Sequence, residues 1–128
     1  MTYTHKNLRD VQDAAPDAGV DATQAMRFAQ RDLNAERTGI SLMAVKSGRR
    51  QAFAHRHDEA EEIYVILAGS GRMKLDDDVV EVQPMDAIRI TPTVTRALEG
   101  GPQGVEYLVV GPHHDGDGAV QAIEEFWP

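Results

Sequence analysis

The sequence predicts an all-β fold, a barrel or a sandwich, and three observations carry that prediction. From Gly39 onward, short apolar runs of about five to eight residues recur, each closed by Gly, Pro or Asp at spacings of about ten. The chain holds 128 residues, 41% of them hydrophobic, which suits one domain with a core of its own better than two. It has no cysteine, so disulfides, thiolate zinc sites, iron–sulfur clusters and a cysteine nucleophile are all excluded, and a core of this size needs no such staple.

Residues 1–25 are polar and punctuated by Pro16 and Gly19, and they are expected to form an N-terminal arm. Their apolar residues, Leu8 and Val11, are scattered, so neither a signal peptide nor a membrane span is expected, and the protein is predicted to be soluble and cytoplasmic. Propensity scores residues 22–36 as a helix, with Asp21 as cap and Ala25, Met26, Ala29 and Leu33 on one stripe; a strand over 26–30 is the alternative. The barrel proper is expected over 26–111, with strands at 40–46, 51–55, 62–67, 72–75, 79–82, 87–90 and 105–110. Phe53 is expected in the core. Asp76, Asp77 and Asp78 disfavour a strand interior and favour a tight turn, which predicts a hairpin between their flanking strands. Gly69 to Gly71 and the cluster Gly100, Gly101, Pro102 read as two further turns. The tail, 112–128, is expected to pack on the barrel through Phe126 and Trp127, two aromatics that are costly to leave in water. Within it, His113 and His114 beside Asp115, Gly116 and Asp117 read as a mobile polar stretch.

Charge narrows the partners. With 13 basic and 21 acidic side chains the formal charge is −8, which repels phosphate backbones and anionic lipid, so neither nucleic acid nor membrane is an expected partner. No Gly-rich phosphate cradle is present, and no serine has the elbow context of a hydrolase.

The chemistry concentrates at His55, His57 and Glu62. Two histidines two apart on a strand project from one face, and Glu62 opens the next strand. Two imidazoles and a carboxylate on neighbouring strands suit a divalent iron, manganese, nickel or zinc ion, because a rigid sheet fixes one side of the coordination sphere and leaves the rest open. Residues 58–62 also read as an acidic surface turn. The order Gly48, His55, His57, Glu62, Gly69, with four residues between His57 and Glu62 and six between Glu62 and Gly69, resembles the first motif of the cupin superfamily, with one residue more than usual between Gly48 and His55. That resemblance implies a double-stranded β-helix, the jelly-roll barrel, with the His-x-His and the Glu holding a metal inside it; the strand rhythm agrees with such a barrel. Small cupins commonly form dimers, so it also implies a homodimer, and an open sheet edge gives a physical reason for one, with the arm packed outside the barrel or exchanged with a second subunit.

The second cupin motif is altered. Met85 stands where the family has Gly before Asp86, Thr91 replaces a Pro, Thr93 a Gly and Gly100 an Asn, and Arg96 falls where the third metal-binding histidine is expected. A guanidinium stays protonated and offers no lone pair, so it cannot ligate. Two outcomes follow. The metal persists on His55, His57 and Glu62, with Gln51 as a supplement and Arg96 turned toward substrate; or it is lost, Glu62 pairs with Arg96, and the lumen takes an anionic or polar small molecule. Tyr64 adds a phenol that could donate to a substrate. Arg49, Arg50 and Arg56 make a small basic cluster near the expected pocket mouth. The function expected is therefore a barrel binding a small polar or anionic molecule beside a divalent metal, as an enzyme or otherwise; the alternative is a metal-free binding or sensing module anchored on Arg96.

Overall fold

A computed structural model describes residues 2–112 and 114–128. Eight strands form one curled antiparallel sheet: β1 (Gln24–Phe28), β2 (Gly39–Val45), β3 (Phe53–Arg56), β4 (Glu62–Leu75), β5 (Asp78–Val82), β6 (Ala87–Ile90), β7 (Arg96–Gly111) and β8 (Ala119–Ala122), followed by a single helical turn α1 (Ile123–Phe126). The path β1-β2-β7-β3-β8 is hydrogen-bonded in that order, and β4 branches to β5, β6 and β7. Among the described residues no helix is long and apolar enough to cross a membrane.

The segment scored as a helix over 22–36 is not one. It contains β1, because Met26 and Ala29 bury themselves only when Gln24–Phe28 pairs with β2, and that gain outweighs the local propensity. The arm packs against its own barrel. Val11 and Ala15 are buried, Asp13 Oδ1 accepts from the backbone N–H of Ala15 and Met26, and Arg9 grips Glu106 with two bonds of 2.8 and 2.9 Å.

Two of the expected turns are strand interior. Gly71 pairs with Gly100 inside the β4–β7 ladder, and the register shifts between Ile66 and Ala68 and again between Gly69 and Gly71. A Cβ on Gly69 would lie 2.0 Å from the Gly104 carbonyl oxygen, and one on Gly71 2.1 Å from that of Glu99. These glycines mark where two long strands bend and press together, not where they end. The third expected turn is present: Asp76 and Asp77 turn the chain between β4 and β5, and Asp76 Oδ1 accepts from Thr95 N.

The main core joins Val45, Ile66, Met73, Val82, Ile90 and Leu98 with the stacked pair Tyr64 and Tyr107. A second cluster sets Ala54 and Ala97 under Phe126 and Trp127, so the tail does pack back. Arg50 and Arg72 lie over the Trp127 ring and Lys74 over Phe126. Phe53 is not core: it is 41% exposed, and the buried position on β3 goes to Ala54, the residue of opposite parity, because only a small side chain fits beneath the tail aromatics.

Candidate metal centre

His55 sits on β3, His57 just beyond it, and Glu62 at the first position of β4. The His57 N–H donates to Pro92 O at 2.8 Å, which fixes the backbone where β3 leaves the sheet. Glu62 Oε1 then lies 3.1 Å from His57 Nε2 and 3.8 Å from His55 Nε2, and one donor atom from each of the three residues falls within 4.8 Å of the others. His57 Nε2 and Glu62 Oε1 are buried without a hydrogen-bond partner among the described residues. Buried polar atoms normally have one. Two imidazole nitrogens and a carboxylate oxygen converging this way fit a divalent ion. Burial acts to raise the Glu62 pKa, but His55, His57 and Arg96 outweigh it and hold the carboxyl below its usual range.

Arg96 lies beside this group, directly opposite His55 in the β3–β7 register, so the two side chains share a face. It is fully buried, with Nη2 3.8 Å from Glu62 Oε1 and Nη1 donating to Pro92 O at 3.4 Å. Its Nε and Nη2 have no hydrogen-bond acceptor among the described residues. The guanidinium thus approaches the three ligands from behind and does not line the cavity in front of them.

That cavity, about 970 Å³, opens between the barrel mouth, the β1–β2 connection and the first part of the tail. His55, His57, Glu62 and Tyr64 form its floor. Its apolar wall includes Phe28, Ile40, Met43 and Val109. Asp32, Glu36, Asp115 and Asp117 join Glu62 on its acidic side, against Arg31 as the only Lys or Arg in the lining among the described residues. Tyr64 is stacked on Tyr107 at 5.5 Å; burial first, then Glu62 and Tyr107, push its pKa well above the ordinary range, so it is a neutral phenol at any working pH. Gln51 is placed elsewhere: buried, its Oε1 accepts from Leu98 N at 2.8 Å, and it does not line the cavity. Of the basic cluster, Arg50 pairs with Glu99 at 2.8 Å and Arg56 with Asp58 at 2.6 Å; none of the three arginines lines the cavity.

The residue that sequence reasoning missed is Asp117, placed in a stretch expected to be mobile. Its carboxylate accepts from the backbone N–H of Asp58, Glu59 and Ala60, and its Oδ2 stands 3.3 Å from His57 Nδ1. Burial opposes its ionisation, but those three donors and His57 prevail and keep its pKa low. The flanking glycines, Gly116 and Gly118, both at positive φ, were the available signal for a tight docked turn. His114 lines the cavity mouth, and His113 lies outside the described residues.

Comparison with known proteins agrees with this architecture. The family model described as "Cupin domain" matches residues 41–111. An uncharacterized protein of Methanocaldococcus jannaschii is 44% identical over 45 residues, 35% of this chain and 36% of that protein's length. Among solved structures, the polyketide cyclase RemF from Streptomyces resistomycificus superposes with a TM-score of 0.75 at 24% identity, covering 96% of this chain and 86% of that one. A cupin protein from Bacteroides fragilis gives 0.70 at 20% over 91% and 88%. An oxalate decarboxylase from Bacillus subtilis gives 0.74 at 18%, over 96% of this chain and 33% of that one. At these identities the likeness is one of fold.

Proposed function

The chain belongs to the cupin family, and from that premise we propose that it binds a divalent metal on His55, His57 and Glu62 and a small, uncharged oxygen-bearing molecule in the adjoining cavity. The observation that carries this reading is the convergence of three ligand atoms within 4.8 Å at the floor of that cavity, with two of them buried and lacking hydrogen bonds. When bound, the ion would polarise an oxygen of the ligand, a Lewis-acid role. The protein's own residues do the rest. His55, His57 and Glu62 hold the ion from one side and leave the side toward the cavity open. Phe28, Ile40 and Met43 offer apolar surface to the remainder of the ligand. The acidic lining disfavours an anion, and Arg96, shielded behind the ligands, is not positioned to grip a carboxylate in the cavity.

A second reading keeps Arg96 as an anion anchor without metal. It draws on the buried Nε and Nη2 atoms, which have no acceptor. Calorimetric titration of the zinc-loaded and of the metal-free protein with catechol and with oxalate separates the two. Catechol is expected to bind more tightly, and metal affinity is expected to fall at least about tenfold in Glu62→Gln. Tighter binding of oxalate, by the metal-free protein and with Arg96 required, would overturn the first reading in favour of the second.

A further inference from the structure

The cavity beside the proposed metal site, about 970 Å³, lies at the top of the range that encloses drug-sized ligands, about 300–1,000 Å³. Its wall is ordered by the strand register. Tyr64 of β4 pairs with Val109 of β7, Val109 with Ser41 of β2, and Ser41 with Phe28 of β1. Cross-strand partners share a face, and all four residues line the cavity, so they form one row across four strands. Three strand spacings of about 4.8 Å carry that row roughly 14 Å from the floor at Tyr64 to the rim at Phe28. Ser41, small between two larger side chains, is the low point of the row. The adjacent level of the lining is lower still, since Gly39 and Gly111 are paired there and offer backbone alone. A Cβ on Gly111 would lie 3.2 Å from Glu62 Cγ, so this bare stretch begins beside the proposed ligand carboxylate. At the far end Phe28 is 52% exposed, with ring surface left for a ligand to cover.

A single ring with its oxygens at the metal site meets Tyr64 and Val109 and stops well short of Phe28. A longer planar ring system follows the row, and two properties favour it over a flexible chain. Being rigid, it loses no rotamer freedom on binding. Its π-system also finds the Phe28 ring and the Met43 sulfur, both in the lining and both suited to aromatic contacts. We infer that the ligand is a planar, fused-ring aromatic of two or more rings, carrying adjacent oxygens on one end ring and lying along Tyr64, Val109, Ser41 and Phe28. The inference rests on the metal reading given above, which sets the oxygen-bearing end of the ligand at His55, His57 and Glu62.

The test is calorimetric titration of the zinc-loaded protein with catechol, 2,3-dihydroxynaphthalene and 4-butylcatechol. The naphthalene adds four carbons as a second ring in line with the first; the butyl compound adds four as a flexible chain. The two-ring diol is expected to bind at least about tenfold more tightly than catechol, and more tightly than 4-butylcatechol. Ser41→Leu raises the low point of the row and is expected to bring the ratio of the two-ring diol to catechol within about twofold of unity. That loss separates ring packing in the cavity from any difference between the diols in their affinity for zinc itself. Equal binding of catechol and 2,3-dihydroxynaphthalene, 4-butylcatechol as the tightest of the three, or a ratio unchanged in a folded Ser41→Leu overturns the inference and leaves the metal reading standing. Should the variant not fold, the three wild-type affinities decide by themselves. A wild type that takes up no zinc, or a zinc-loaded protein that binds none of the three, overturns the metal reading and this ligand with it.

Discussion

At the scale of single residues, Arg96 distinguishes this site most clearly from a four-ligand one. Its Nη2 lies 3.8 Å from the Glu62 oxygen that faces both imidazoles, so an ion held there would be about 5 Å from a fixed positive charge. At an effective dielectric near 20 that repulsion is about 3 kcal/mol, before relaxation reduces it. Because Arg96 stands opposite His55 on one face of the sheet, Arg96→His removes the charge and places an imidazole beside the other two. Nickel or zinc affinity is expected to rise at least about tenfold, and equal calorimetric affinities in wild type and variant would show that Arg96 does not act on the site. The sequence made this residue legible by its spacing from Met85 and Asp86 and by Pro92 nearby, and His55, His57 and Glu62 by a fixed spacing on adjacent strands. Asp117 was not legible in that way: Gly116 and Gly118 mark a turn around it, but it reaches His57 only after the tail has folded back over β3, a contact set by tertiary packing.

Among the elements, β4 and β7 organise the molecule. Strand periodicity found part of each: β4 was read as two pieces, 62–67 and 72–75, and β7 only over 105–110, because glycine weakens strand propensity and serves equally as a turn and as a close crossing between strands. Strand β1 was ambiguous for a related reason: its apolar spacing satisfied two periods at once, and only pairing with β2 chose between them. The ladder is reinforced on its outer face by Glu99 of β7, which takes Arg72 of β4 at 2.7 Å and Arg50 at 2.8 Å. Arg50 first, and then Arg72, hold the Glu99 pKa below the ordinary glutamate range against the effect of burial. A carboxylate whose pKa is lowered by folding stabilises the fold above its unfolded pKa and loses that contribution as pH falls through the folded one. Glu99→Gln is therefore expected to lower stability by about 0.5–1 kcal/mol at neutral pH, since both arginines are partly exposed. The gap in melting temperature should close as pH drops below the usual glutamate range; a gap that widened on acidification would contradict this assignment.

For the molecule as a whole, among the described residues β1, β5, β6 and β8 are each paired along one side only, and Val120 on β8 is 70% exposed. Open edges with exposed apolar residues invite pairing, so a homodimer at micromolar concentration is the expected state, with light scattering returning twice 14.1 kDa; a mass of 14.1 kDa in that range would contradict it. The assembly matters less to the account than the floor of the cavity, where two imidazoles and a carboxylate face one point with a guanidinium behind them. Elemental analysis of protein purified without a histidine tag tests that point most directly. About one divalent ion per chain is expected, lost in His57→Ala and retained in Gln51→Ala, whose side chain is occupied with Leu98 and does not line the cavity. Wild-type protein that carries no ion as purified, and takes up none from excess iron, manganese, nickel or zinc, would contradict the metal centre.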